Sequence, residues 1–352
     1  MPAKTNNIQY LDSLRALAML GVIIIHISSP LVNMTWSKNM PYWWIGNIVD
    51  SAVRFAVPLF LMLSGATLLG KEYKLSEFYK KRFMRVLLPF LFWMVVYWVY
   101  RWTVLHPKQQ PQDFLTILKW AKVLFLKEGV SKHFWYIYMI LVIYLIVPFL
   151  GKGIRKLNLS MVSNILLLWV ILTFGCKSMP LNMYSWADNY GSKLLGYFLY
   201  SGYLILGYYL YNLPVTSPKI RFSAAMVFIL SIVFSAVSTY FFSKSAHKVD
   251  LCMYSYLSIN TIIQSIAIFM CIKNLSIKNN LVERIQNNIS NSSYGIYLVH
   301  IMVIDIFFQN SIYWSFAHPL ISLPFLTAMV LSCSYGIIYV LKKIPLGKYV
   351  AG

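Results

Sequence analysis

The chain has 352 residues, of which 59% are hydrophobic and 12% are charged, and its formal net charge is +21. A soluble domain carries roughly 45–50% apolar and about 25% charged residues, so this composition leaves too little polar surface for a water-soluble globule. The pattern also argues against nucleic-acid binding, because the basic residues do not form one arm. They separate apolar runs of about 18–22 residues, each long enough to cross a bilayer as a helix. The composition therefore predicts a multi-spanning protein whose first partner is the lipid bilayer.

Hydropathy over windows of about 19 residues predicts ten spans. They cover residues 11–30, 50–70, 86–105, 133–150, 158–176, 193–211, 222–242, 252–273, 291–309 and 319–341. The longest connection, residues 103–132, has a mixed character that predicts an amphipathic interfacial helix. We predict an all-α fold, a polytopic transmembrane helical bundle of about ten spans in which residues 1–352 form one domain.

The Lys and Arg residues favour cytoplasmic N- and C-termini. With that orientation and an even number of spans, about eighteen basic residues lie on the cytoplasmic side and about nine on the other. The apolar core of the first span is as long as that of a signal peptide, but Arg15 and His26 stand at its ends and no clear A-x-A cleavage site follows. We expect the span to be retained. The ratio of Lys to Arg and the Asn-rich, Ile-rich composition indicate a low-GC organism, and a bacterial cytoplasmic membrane is the expected location.

The first span, YLDSLRALAMLGVIIIHISSP, holds three strongly polar side chains, which are Asp12, Arg15 and His26. Eleven residues at 100° each place His26 within about 20° of Arg15, about three turns farther along the same face, and Asp12 lies within about 40° of that line. Ionisable groups inside a span are costly and favour a functional interpretation. The alternative is an interfacial Asp–Arg pair that anchors the helix, together with a histidine that serves only in packing. The arrangement of these three residues on one face does not decide between the two interpretations.

The second span contains the sequence VDSAVRFAVPLFLMLSGATLLG. Asp50 and Arg54 are four residues apart and can pair, although Arg54 lies inside the apolar stretch. Pro58 is expected to break the backbone ladder, and Ser64-Gly65 permits a close helix contact or a ligand contact.

A basic segment, FYKKRFMR, precedes the third span. Arg82 and Arg85 share one helix face, and two guanidinium forks suit phosphate groups, including a nucleotide diphosphate. Lys81 stands beside them and is expected to contribute to the same cofactor-binding site. A cytoplasmic loop would be basic in any case, so the alternative is a topology signal.

Two aromatic motifs open the fourth and ninth spans, KHFWY at residues 132–136 and SSYGIYLVH at residues 292–300. An interfacial aromatic belt explains the Trp and Tyr residues without a function, and His133 is interpreted as interfacial. His300 and Asp305 lie within one span and are harder to explain in that way.

The sequence contains no metal-binding or hydrolase motif. Four scattered cysteines lack C-x-x-C spacing, and there is no H-x-x-x-H, G-x-S-x-G or Walker sequence. We therefore expect no metal site, no α/β-hydrolase chemistry and no ATPase activity.

Five separated motifs resemble, in order, those of the membrane-bound acyltransferase-3 family. They are LDSLRALAMLGVIIIH, SAVRFAVPLFLMLSG, KKRFMRVLLP, HFWYIYMILVIYLIVPFL and SSYGIYLVH. Without an extracellular SGNH-type domain, the chain is most similar to the short single-domain members, such as the one that acts on the enterobacterial common antigen. Most of these acetylate surface polysaccharides or lipid-linked precursors. The family also includes succinyltransferases and parts of serine racemases, so the fold alone does not fix the substrate.

The resemblance implies transfer of an acetyl or similar short acyl group from cytoplasmic acyl-CoA, with acetyl-CoA as co-substrate, to a hydroxyl of a carbohydrate or a lipid-linked carbohydrate. It implies that His26 is the general base and that Arg15 is needed beside it. It also implies that Arg82 and Arg85 hold the phosphates of coenzyme A. Other positions in the matched motifs are Asp12, Arg54, Ser64, Trp135, Tyr297 and His300.

We expect direct transfer of the acyl group. An imidazole takes the proton of the hydroxyl as it attacks the thioester carbonyl. Arg15 stabilises the oxyanion, or Asp12 neutralises Arg15 within the lipid. A pantetheine arm of roughly 15–20 Å matches the separation of Arg15 and His26. No serine or cysteine is obviously placed as a covalent nucleophile, which favours direct transfer over a ping-pong mechanism.

A transporter or flippase of a lipid-linked sugar is the main alternative. The sequence has no inverted repeat and no paired broken helices, which argues against it. A scaffold in a polysaccharide-assembly complex would leave the buried charges unexplained.

Overall fold

The computed structural model describes residues 6–105, 130–178, 190–214 and 217–352, and within these ranges every regular element is a helix. This confirms the predicted all-α fold. The interfacial helix predicted for residues 103–132 falls largely on residues 106–129, which lie outside the described ranges. The α-helices are α1 (Asn6–Thr35), α2 (Met40–Ala52), α3 (Ala56–Leu68), α4 (Leu75–Tyr100), α5 (Trp135–Ile154), α6 (Leu159–Ser178), α7 (Tyr190–Asn212), α8 (Pro218–Ala246), α9 (Ile259–Ile272), α10 (Asn280–Gln309) and α11 (Pro319–Lys343).

Eight segments of the described chain are long and apolar enough to cross a membrane. They are Gln9–Thr35, Met40–Leu68, Leu75–Val104, Lys132–Ile154, Pro218–Ala246, Cys252–Ile272, Asn280–Gln309 and Pro319–Lys343. The other two predicted spans coincide with α6, a shorter apolar helix over Leu159–Phe174, and with α7. The protein is therefore a multi-pass membrane protein, while the count of ten and the cytoplasmic termini stay predictions.

The helix α1 lies inside the bundle. It packs against α2, α3, α10 and α11, and the side chains of Leu14, Met19 and Ile23 are fully buried. In contrast, α8 carries exposed apolar side chains such as Phe222 and Leu230, as expected for a helix that faces lipid. The buried polar residues of α1, which include Asp12 and Ser28, therefore face protein rather than lipid.

Two of the crossing segments are interrupted, and the interruptions meet. One separates α2 from α3 at Val53–Phe55, and the other follows a 3₁₀ turn at Cys252–Tyr254, before α9. The Arg54 guanidinium lies 4.0 Å from the centroid of the Tyr254 ring. Backbone that leaves the helical path at membrane depth is tolerated where protein groups surround it.

These interruptions correct two expectations from the sequence. The break precedes Pro58, which instead occupies the first turn of α3, where its missing N–H costs no hydrogen bond. The chain also contains a pair of interrupted spans, so their absence no longer argues against a transporter. Neither break had a local sequence signal, because each is held by contacts with the other segment.

Two glycines bring α3 and α7 into backbone contact. A Cβ atom at Gly65 would lie 1.9 Å from the carbonyl oxygen of Leu204, and a Cβ at Gly207 would lie 1.9 Å from that of Met62. Only glycine allows helices to approach this closely. The expected close approach at Ser64-Gly65 is confirmed.

Lys273, directly after α9, caps the C-terminal end of α7. Its Nζ donates to the carbonyl oxygens of Leu210 at 2.6 Å, Tyr211 at 3.0 Å and Leu213 at 2.5 Å. The last carbonyl groups of a helix have no partner within the helix, so this buried amine satisfies groups that would otherwise be left unpaired.

Candidate active site

Two cavities lie along α1. The arginine cavity has a volume of about 380 Å³, and its lining includes Arg15, Arg82 and Arg85. The histidine cavity has a volume of about 420 Å³, and its lining includes His26 and Pro30. Arg15 and Pro30 lie about 22 Å apart along α1, since an α-helix rises 1.5 Å per residue. The two cavities are therefore displaced along the axis of the bundle.

A hydrogen-bonded triangle holds Arg15 at the wall of the arginine cavity. Its Nη1 donates to Asp12 Oδ1 at 2.9 Å and to Ser290 Oγ at 3.0 Å, and Ser290 Oγ donates to Asp12 Oδ1 at 2.7 Å. The Asp12 side chain is 8% exposed and that of Arg15 is 30% exposed. The carboxylate thus balances the guanidinium inside the protein and leaves part of it accessible to a ligand.

The two arginines of α4 face the same cavity as Arg15. Three guanidinium groups from two helices therefore surround one space. Lys81 does not join them: it is exposed and lies outside the described lining, because one residue corresponds to a turn of about 100° around the helix.

A further cation near this cavity is not evident from the sequence. Lys342, in the last turn of α11, donates to the carbonyl oxygen of Asn291 at 3.0 Å and to Ser292 Oγ at 3.1 Å. Asn291 itself lines the arginine cavity. In the sequence, Lys342 is one of many basic residues that follow an apolar run, so only the fold connects it with this place.

Ser64 and Tyr297, two of the expected site residues, also line the arginine cavity, together with Tyr136. The rings of Tyr136 and Tyr297 lie 5.6 Å apart. Ser64 Oγ donates to the carbonyl oxygen of Phe60 at 3.0 Å. Residues from α3, α5 and α10 thus line the same space that the arginines enter from α1 and α4.

Three histidines, His26, His133 and His300, form a cluster beside Tyr297. The ring centroid of His300 lies 5.2 Å from that of His26 and 5.2 Å from that of His133. The side chains of His133 and His300 are buried, whereas His26 is half-buried and lines the histidine cavity. His133 is thus packed inside the protein rather than exposed at its surface. Its burial depends on α10, which is far away in the sequence.

Among the described residues, His133 and His300 each have a hydrogen-bond partner at Nδ1 but not at Nε2. His300 Nδ1 donates to the carbonyl oxygen of Tyr297 at 2.7 Å, and His133 Nδ1 lies 2.7 Å from Ser131 Oγ. The Tyr297 hydroxyl donates to the carbonyl oxygen of His133. In the described part of the chain, the Nε2 atoms of His133 and His300 are buried without a hydrogen-bond partner.

Arg54 and Trp135 lie outside both cavity linings as far as the structure describes them. Arg54 is buried, donates to Asp50 and contacts Tyr254. Trp135 stacks on Tyr256, with ring centroids 5.8 Å apart and planes at 18°.

Polar groups line the histidine cavity beyond His26. They include Tyr100, Arg101, Lys132 and Asp305. Hydroxyl, cationic and carboxylate groups around one space offer both donors and acceptors, which suits a polyhydroxylated ligand. Among the described residues, no group of three His, Cys, Asp or Glu side chains is arranged to hold a metal ion.

These features define a polytopic membrane protein with an internal polar site between two cavities. The chain belongs to the acyltransferase-3 family: the family model, described as an acyltransferase domain, matches residues 8–339. The protein is therefore an acyltransferase, as the motif resemblance predicted. No curated protein and no solved structure matches the chain significantly. The match gives no support to the transporter or flippase alternative.

Proposed function

We propose that the protein transfers an acetyl or similar short acyl group from cytoplasmic acyl-CoA to a hydroxyl of a surface polysaccharide or its lipid-linked precursor. The observation that carries this proposal is the pair of cavities, one rich in arginine and one lined by His26, which are separated by the contact of Tyr297 with His133. A thioester donor entering one cavity and a sugar entering the other would meet at this contact. A bacterial cytoplasmic membrane is the proposed location.

The donor is assigned to the arginine cavity. Arg82 and Arg85 would bind the diphosphate of coenzyme A, because guanidinium forks match phosphate oxygens. Arg15 would add a third contact, and Lys342 would add charge nearby. The distance from Arg15 to His26 is about 16 Å along α1. An extended pantetheine arm covers roughly this distance, so the thioester would lie near the histidine cluster.

His26 is the proposed general base, since it is half-buried and faces the histidine cavity. It would take the proton of the sugar hydroxyl as the new C–O bond forms at the thioester carbonyl. The C–S bond then breaks, and the thiolate of coenzyme A takes the proton from His26. No covalent intermediate forms on the enzyme in this step.

The distance along α1 supports one of the two roles expected for Arg15 over the other. A carbonyl that reacts beside His26 lies about 16 Å from Arg15, which is too far for a hydrogen bond to its oxyanion. Arg15, balanced by Asp12, is therefore proposed to bind phosphate. The candidate donor to the oxyanion is the hydroxyl of Tyr136, whose ring lies 5.6 Å from that of Tyr297.

Binding of acetyl-CoA to the purified protein in nanodiscs tests the donor site. We expect the Arg82→Ala/Arg85→Ala double variant to bind at least about 100-fold more weakly than the wild type, because it loses at least two charge-assisted hydrogen bonds of about 1.5–3 kcal/mol each. Lys81→Ala is the matched control and should change the affinity less than about twofold. Equal losses in the control, or no binding by the folded wild type, would refute the assignment.

Acyl transfer tests the base. A His26→Gln variant should bind acetyl-CoA as the wild type does, yet lose about 10²–10⁴-fold in kcat, the contribution of a positioned base. Candidate acceptors are sugars and lipid-linked oligosaccharides, with release of free coenzyme A as the readout. Retained activity in His26→Gln would remove His26 from this role.

A further inference from the structure

The imidazole of His300 lies beside the proposed base and is fully buried. Its ring centroid is 5.2 Å from that of His26, and the two ring planes form an angle of 50°. The two residues come from α1 and α10, which pack against each other. The packing of α1 against α10 therefore holds the two imidazole rings close together.

The backbone fixes which nitrogen of His300 carries a hydrogen. A carbonyl oxygen only accepts, so the 2.7 Å contact between His300 Nδ1 and the Tyr297 carbonyl oxygen requires an Nδ1–H group. The Nε2 atom of the neutral ring is then a bare acceptor. This atom is buried without a partner in the described part of the chain. A buried acceptor left unpaired destabilises the fold, so a nearby donor would gain from pairing with it.

We propose that His300 positions His26 by accepting a hydrogen bond from one of its ring N–H groups. This bond would select one tautomer of His26 and leave its other nitrogen bare, ready to take a proton. A base oriented by a third group is a recurring arrangement in nucleophilic catalysis, and such hydrogen bonds are often long before the substrate binds. The inference rests on the proposed role of His26 as the base.

The Nδ1 contact of His133 does not fix which of its ring nitrogens carries the hydrogen. Its Nδ1 pairs with the hydroxyl of Ser131 at 2.7 Å, and a hydroxyl both donates and accepts. Either tautomer of His133 satisfies that bond. The partner of His300 Nδ1 is a carbonyl oxygen, which only accepts. The backbone therefore sets the direction of the proposed hydrogen bonds from Tyr297 through His300 to His26.

Solid-state NMR of the full chain in nanodiscs, with ¹⁵N-labelled histidine, tests the hydrogen bond without any activity. The chain has six histidines, and the signals of His26 can be assigned with His26→Gln. We expect one tautomer of His26 in the wild type and a mixture, or the other tautomer, in His300→Phe. An unchanged tautomer of His26 in a folded His300→Phe protein would overturn the proposal. If that variant fails to fold, His300→Leu serves in its place.

Transfer kinetics separate positioning from packing. His300→Phe keeps the ring but has no acceptor, so kcat should fall at least about 10-fold, part of the 10²–10⁴-fold effect of a positioned base, with KM for acetyl-CoA unchanged. His300→Gln retains an amide oxygen as acceptor and an amide N–H for Tyr297, and should recover most of this loss. Equal losses in both variants would show that His300 acts only through packing. If the wild type shows no acyl transfer but the tautomer of His26 still changes in His300→Phe, the proposed hydrogen bond stands and the proposed function is rejected.

Discussion

The hydroxyl of Tyr297 donates to the backbone carbonyl oxygen of His133, although the two residues line different cavities. Tyr297 belongs to α10, whereas His133 lies in the short turn Lys132–Phe134 that precedes α5. One side-chain contact therefore joins two distant segments and lies between the arginine cavity and the histidine cavity.

Tyr297→Phe should loosen this separation while keeping the ring. We expect a higher ratio of acyl-donor hydrolysis to acyl transfer, because water from the histidine cavity gains access to the thioester. We also expect kcat to decrease about 10-fold, because a hydrogen bond of about 1.4 kcal/mol is lost. The ratio is measured by comparing free coenzyme A with acylated acceptor. Tyr349→Phe, at an exposed position, is the control. An unchanged ratio in Tyr297→Phe would contradict the separating role.

Asp12→Asn should tighten donor binding and reduce stability. The amide oxygen still accepts from Arg15 and Ser290, but the negative charge beside the arginine cavity is lost. We expect a lower Kd for acetyl-CoA, by about two- to fivefold at low salt, together with a lower melting temperature, because Arg15 loses its neutralising partner in the membrane. Calorimetry and thermal unfolding measure the two effects. Weaker binding of acetyl-CoA would mean that Asp12 orients Arg15 rather than only balancing its charge.

Gly65→Ala should destabilise the protein strongly. The added Cβ would meet a backbone carbonyl oxygen at 1.9 Å, so α3 and α7 must separate, at a cost of about 3 kcal/mol or more. Gly153→Ala, in α5, is the matched control, since no atom lies within 4 Å of its Cβ position. The melting temperature in nanodiscs is the measurement. Equal melting temperatures for the two variants would refute the tight contact of α3 with α7.

Lys273→Met should lower the stability by about 1.5–3 kcal/mol, because three carbonyl groups at the end of α7 lose a charged donor. Met keeps the apolar length of the side chain but cannot donate. Lys278→Met, at an exposed position close in sequence, should have little effect. Denaturation in mild detergent compares the two proteins, and a comparable loss in both would exclude the capping role.

The sequence predicted the helical architecture well because lipid requires long apolar helices whose backbone groups are paired internally. It also predicted that Asp12 and Arg15 share a face, since that depends only on helical periodicity. The interruption before Pro58 was misplaced because Arg54 and Tyr254, two hundred residues apart, hold it together. The burial of His133 and the exposure of Lys81 depend on which faces of the helices pack, and no local pattern encodes that choice.

The contact between Tyr297 and His133 also has an electrical consequence. If the two polar cavities open to opposite sides of the membrane, water and mobile ions in them would carry the bulk potentials inward. The voltage across the membrane would then fall mainly over the layer that contains the histidine cluster. Moving one elementary charge across 100 mV changes its free energy by about 2.3 kcal/mol. A proton that crosses this layer during the reaction would sense most of that voltage, and the rate of acyl transfer would then depend on the energised state of the membrane.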